Sequence, residues 1–336
     1  MDVQPAAPSP VPPGSGRAPG GRARRSAACL AVGLAALGLL PPALHAQPRT
    51  ATTLASAIAL RQLDRVRSFV EAGANPNTVS RGGWTALHAA ADVGDEPLVR
   101  LLLQRGAAVG AIDSVGFAPL HFAADEGSVA VVALLLAHEA DPNARDNQGW
   151  TPLHRAIRAG HVDAALLLEH GADRDVLDQL FNGDAPLHWA VEDGNAAMAL
   201  LLLDYGADVN VRNGRFRSTP LHDAASRGNE VLAALLLDRG AEIDSENMFG
   251  DTPLHTAVRI GNVALARLLL DRDAPIDEEN REGRTPLHHA AFYGRPDLAR
   301  LLLDRGADRD EQDMEGRTAL DVATMEGQGD VAALLR

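Results

Sequence analysis

The sequence predicts an all-α repeat solenoid of stacked helix–turn–helix–loop units joined by hairpin-like loops. Three observations predict it. A four-residue signature recurs at a near-constant spacing. A glycine follows most copies at a fixed offset, and a block of consecutive leucines comes after that glycine. A period this strict marks a repeat architecture, in which no single unit buries its apolar face alone.

The clearest copies are Thr151-Pro-Leu-His154, Thr252-Pro-Leu-His255 and Thr285-Pro-Leu-His288. Thr85-Ala-Leu-His88, Ala118-Pro-Leu-His121, Ala185-Pro-Leu-His188 and Thr219-Pro-Leu-His222 vary it. The anchors fall at 52, 85, 118, 151, 185, 219, 252, 285 and 318, so every step is 33 residues except two of 34. Threonine suits a helix N-cap, because its hydroxyl accepts a backbone N–H. Proline suits the first helical turn, where its missing N–H costs nothing. A short inner helix is predicted next, as over 153–159. Gly160 ends it, because glycine tolerates the positive φ of a helix end. An outer helix carries the leucine block, as in Leu301-Leu302-Leu303, and ends at glycines such as Gly171, Gly206, Gly240 and Gly306. A polar stretch such as 207–210 leads across to the next unit.

On these residues the chain resembles the ankyrin-repeat family from Thr52 to Arg336. The resemblance implies a right-angled helix–helix–loop unit stacked into a curved solenoid. Its concave side, made of inner helices and loop tips, is where such proteins bind a partner. It divides 47–336 into about nine units: an N-terminal cap over 52–84, seven internal repeats over 85–316 and a C-terminal cap over 317–336. The end units depart from the pattern. Ala55 stands at the histidine place and Arg61 at the glycine place of the first, and Asp321 at the histidine place of the last. Both read as caps that shield the terminal apolar layers. Glu139 and Asp273 replace the glycine after the outer helix, which predicts strained or reshaped turns. The loops near 175–184 and 209–218 carry one extra residue each, and Arg217 stands where glycine is usual.

Residues 1–46 differ in character. Arg22, Arg24 and Arg25 precede an apolar run over 27–40, and Ala46 closes a short segment after it. This order of basic, apolar and small residues describes a secretory signal, with cleavage expected after Ala46 and a periplasmic or secreted location. The run is shorter than the roughly 20 residues a membrane span needs. Membrane insertion of the mature chain is therefore not expected; tethering by an uncleaved N-terminal anchor is the alternative.

The formal net charge is −14, and without residues 1–46 it becomes −17. Such a balance excludes a nucleic-acid backbone as partner and repels anionic membranes. Every basic residue is arginine. Cys29, the only cysteine, lies in the segment expected to be removed, so the mature chain has no thiolate nucleophile and no disulfide.

His88, His121, His154, His188, His222, His255 and His288 occupy one repeat position. Successive copies are expected about 10 Å apart, one helix layer, whereas a zinc–nitrogen bond is about 2 Å. The resemblance implies a structural role instead: each bonds the threonine hydroxyl and nearby backbone. No HExxH, GxSxG or Walker A motif occurs. No catalytic residue, metal or cofactor is expected. The carboxylates follow the loop period, as Asp173, Asp208 and Asp308 do, and read as turn residues.

The aromatics are informative. Phe69 and Tyr205 fall on outer helices. Trp84, Phe117, Phe122, Trp150, Phe181, Trp189, Phe216, Phe249, Phe292 and Tyr293 fall on loop tips or beside the signature histidine or glycine. The resemblance makes these positions partner-facing. Each large ring buries roughly 150–250 Å² on contact, and Trp, Tyr and Arg dominate interface hot spots. Charges on the same face are banded. Asp92, Asp125 and Glu126 are followed by Arg155 and Arg158, then Glu192 and Asp193, then Arg227, Arg259 and Arg284. Such banding sets register on a partner. The alternatives are rings that stack between units and stiffen the groove, and a solvated face of mixed sign.

The expected function is a non-catalytic protein–protein interaction scaffold, monomeric, acting in the periplasm or outside the cell. The residues expected to meet its protein partner are Trp84, Phe117, Phe122, Asp125, Glu126, Trp150, Arg155, Arg158, Trp189, Glu192, Arg227, Phe249, Phe292 and Tyr293. A secreted effector that binds host proteins is the alternative.

Overall fold

The computed structural model of the protein describes residues 51–179 and 182–336. The expected leader over 1–46 lies outside the described residues, as does Phe181. Within them the chain forms eighteen α-helices and no strand, arranged as nine pairs. The first five are α1 (Leu54–Ala59) with α2 (Leu63–Glu71), α3 (Ala86–Asp92) with α4 (Glu96–Gln104), α5 (Pro119–Glu126) with α6 (Val129–Ala137), α7 (Pro152–Ala159) with α8 (Asp163–Glu169), and α9 (Pro186–Glu192) with α10 (Ala196–Asp204). The last four are α11 (Pro220–Arg227) with α12 (Glu230–Asp238), α13 (Pro253–Ile260) with α14 (Val263–Asp271), α15 (Pro286–Phe292) with α16 (Pro296–Asp304), and α17 (Ala319–Met325) with α18 (Gly329–Leu335). Among the described residues no helix is long and apolar enough to cross a membrane.

The two helices of a pair differ in the size of what they bury. Most odd-numbered inner helices bury a leucine together with small residues, as in Leu120, Ala123 and Ala124, or Leu221, Ala224 and Ala225. The outer helices bury bulkier residues, with the middle leucine of each block, such as Leu135, Leu202 and Leu302, sealed completely. Small side chains let helix axes approach closely and large ones hold them apart. Inner helices accordingly pack more closely on their successive counterparts than outer helices do. The stack therefore curves with the inner helices on its concave side. The buried residues join into one continuous apolar core from Ala51 to Leu335.

Loop chemistry repeats with the helices. At six tips an Asp or Asn side chain accepts two backbone N–H groups ahead of it. Asp146 Oδ1 accepts from Gln148 at 2.8 Å and Trp150 at 2.9 Å; Asn280 Oδ1 does the same for Glu282 and Arg284. Each tip also bonds the next through a backbone pair, such as Asn147 N to Val115 O at 3.1 Å and Arg281 N to Phe249 O at 3.0 Å. A Cβ on Gly250 would lie 2.6 Å from Arg281 N, so glycine there lets adjacent tips close. The hairpin-like loops thus zip together without forming strands. Asp173, Asp208 and Asp308 each accept the N–H two residues on, as turn residues do.

Two expectations are corrected in the first unit and in the caps. The first cap is Thr53, one residue later than the period places it, and Ser56, not Ala55, completes it. In several units the threonine hydroxyl does not take a backbone N–H. At Thr151, Thr219 and Thr285 the cap amide donates to the histidine ring, and the hydroxyl faces the same ring nitrogen. The strained positions fall where the sequence breaks its glycine pattern. Among the described residues Arg61, Glu139, Arg217 and Asp273 are the non-glycine residues with positive φ, at 52°, 65°, 53° and 63°.

Candidate protein-binding face

The face rests on the signature histidines. Each packs at the start of an inner helix, and its Nδ1 accepts the backbone N–H of the cap residue at 3.1–3.2 Å. This holds at Ala118 and Ala185, which have no hydroxyl to offer. With Nδ1 an acceptor, the proton resides on Nε2. That proton is donated to the carbonyl just before the next cap: His88 to Phe117, His121 to Trp150, His188 to Ser218, His222 to Asp251, His255 to Arg284 and His288 to Arg317, at 2.9–3.1 Å. Burial lowers the pKa of His88, His121 and His255, and lowers it to about 4 for His154, His188 and His222. They are neutral latches whose nitrogens the backbone already engages. His154 differs. Its Nε2 faces the Asp184 carbonyl but makes no hydrogen bond among the described residues. The extra residue of the 175–184 loop falls in this step, between His154 and its acceptor.

Beside the latches runs a ladder of rings and guanidiniums. The Arg61 guanidinium lies 4.9 Å from the Trp84 ring centre. Trp84 meets Phe122 edge-on at 5.0 Å, and Phe122 meets Phe117 at 5.3 Å. Arg155 spans Phe117 and Trp150 at 4.4 and 4.5 Å. Arg158 spans Trp150 and Trp189 at 5.1 and 5.3 Å, and those indoles meet edge-on at 5.1 Å. The ladder is braced from the loop tips. Asp113 accepts the Trp84 indole N–H at 3.2 Å, and the buried Asp146 carboxylate holds Arg155 at 2.6 Å.

The expected partner-facing rings therefore divide. Trp150 is only 3% exposed and floors the groove, so its expected place on the open surface is corrected. Trp84, Phe117, Phe122, Trp189 and Phe292 are half-buried against neighbouring rings or guanidiniums. Phe249 and Tyr293 are open, at 52% and 40% exposure. Asp125, Glu126, Arg158 and Arg227 are exposed, whereas Arg155 and Glu192 are half-buried. Arg227 lies 3.4 Å from Glu192.

A helix pair repeated nine times, with a cap-bonding histidine and a curved inner face, decides the family. The sequence pattern described as ankyrin repeats (3 copies) matches residues 54–146, 108–178, 139–213, 165–247, 221–313 and 274–336. The chain belongs to the ankyrin-repeat family. Ankyrin repeats are in general protein–protein interaction modules. No curated protein matches the chain.

Residue reading missed part of the ankyrin groove. Arg61 entered only as a misplaced glycine, yet it tops the aromatic ladder. Asp223 follows the signature histidine, the same place that gives Phe122, Arg155 and Trp189, and that position was its signal. Burial, with Asp184 and Glu192 nearby, holds its carboxyl well above the usual range.

Proposed function

We propose that this ankyrin protein is a non-catalytic, monomeric scaffold, exported to the periplasm or beyond the cell, that binds one protein along its concave face. The observation that supports binding most is how that face is built. The core is built mainly of alanine, leucine and valine, and of the groove rings only Trp150 is buried with it, while Trp84, Phe122, Trp189 and Phe292 lean on its edge. The groove nonetheless carries a braced ladder of rings and guanidiniums, with Phe249 and Tyr293 left open to water. Large rings and arginines held in fixed rotamers have less entropy to lose on binding. The order of basic, apolar and small residues over 22–46 supports export.

The test combines fractionation with capture. The native chain is expected in the periplasmic or extracellular fraction, beginning at Gln47. It is expected to retain one protein that a chain with Phe249→Ala and Tyr293→Ala retains at least tenfold less well. A cytoplasmic chain that still begins at Met1 contradicts export. Equal retention by the folded double variant contradicts the binding face.

A further inference from the structure

Arg158 is unlike the other arginine at the centre of the groove. Arg155 is half-buried and bound to Asp146 at 2.6 Å. Arg158 is exposed, lies over both Trp150 and Trp189, and makes no ion pair among the described residues. A guanidinium resting on two indoles is pre-oriented, and its fork of N–H donors matches a carboxylate.

Its neighbours narrow the ligand. Asp125, Arg158 and Glu192 each stand seven residues after their cap, so they form one row along the inner helices. Glu126 and Asp193 follow the two acids in sequence, and both are exposed. The row thus reads acidic, basic, acidic. A polyanion is repelled by its flanks and a polycation by its centre. One helix layer is about 10 Å, the length of about three residues of extended chain at roughly 3.3 Å each.

Resting on the scaffold reading above, we propose that Arg158 clamps one carboxylate side chain of an extended partner segment. Basic residues three positions away on either side meet Asp125–Glu126 and Glu192–Asp193. The recognised pattern is basic-x-x-acidic-x-x-basic, which reads alike in either chain direction.

The protein carries its own reporter, because its three tryptophans, Trp84, Trp150 and Trp189, all belong to this ladder. Intrinsic fluorescence of the full chain is titrated with the peptide Arg-Ser-Ser-Glu-Ser-Ser-Arg and with versions carrying Gln or Arg at the centre. The glutamate peptide is expected to bind at least fivefold more tightly than either. R158Q is expected to erase that preference and R158E to reverse it toward the arginine-centred peptide, with both variants melting as the parent does. Equal affinity for the three peptides, no binding of any, or an unchanged preference in R158E overturns the clamp. If the cellular partner is still captured as described above, the scaffold reading survives that result; if capture also fails, both fall.

Discussion

A buried carboxylate without a hydrogen-bond partner is costly, and Asp163 is in that position. It is 1% exposed, and neither of its oxygens is bonded among the described residues. The equivalent residues Ala130 and Ala197 are small and exposed. Burial pushes the Asp163 carboxyl up to about 6. The folded state therefore holds a proton that the unfolded chain releases near 3.8, and its contribution to stability is lost as pH rises through that window. Asp163→Ala is expected to add about 1–2 kcal/mol at pH 7.5 and close to nothing near pH 4, measured by urea unfolding. An equal gain at both pH values contradicts this. Glu139 and Asp273 carry positive φ with no ion pair among the described residues to compensate. Glycine at either position is expected to add about 0.5–1 kcal/mol, because the left-handed conformation costs an L-residue about that much more. These turns were legible in the sequence, since the glycine pattern fails there. The burial of Asp163 was not: it depends on α8 starting one residue later than its counterparts, which no residue in the loop announces.

At the scale of the helix pair, the histidine latch accounts for the regularity of the stack. His222→Ala removes the acceptor for the Thr219 amide and the donor to the Asp251 carbonyl. Its expected cost is about 2–4 kcal/mol. His154→Ala removes the same cap bond but no hydrogen bond to the residue before the next cap, so it is expected to cost about 1 kcal/mol less. Thermal or urea unfolding at pH 7.5 compares the two. The sign with pH is opposite to that of Asp163. These rings titrate lower folded than unfolded, so the unfolded chain binds more protons between about 4 and 6.5. Their contribution is full above 6.5 and is lost as pH falls toward 4. His222→Ala is therefore expected to lessen the stability lost between pH 6.5 and 4. The row of histidines was readable from its period, whereas its structural role was implied by the family resemblance. The weakened step at His154 was half readable: the extra loop residue shows in the spacing, but the missing bond depends on where that residue shifts the Asp184 carbonyl. The shift of the first cap from residue 52 to Thr53 was hidden by adjacent threonines, either of which suits an N-cap.

Across the whole molecule, the same repeat that fixes the fold assigns the free positions. From Thr85 onward the seventh residue after each cap is never fully buried, and the chain varies it between acid, arginine, serine, phenylalanine and methionine. That row was legible because the period aligns it. The fate of the rings was not, since stacking depends on distances between units: Trp150 reads as an interface residue by type and lies beneath Arg155 and Arg158 in space. In the proposed function a partner protein lies along this concave row. Site-specific photo-crosslinking in living cells tests it most directly, with benzoylphenylalanine placed at Ser226 or Arg259 on the inner helices and, for comparison, at the exposed outer-helix residue Val231. One discrete crosslinked protein is expected from both inner positions and none from Val231; the same adduct from Val231, or no adduct from either inner position, overturns the binding row.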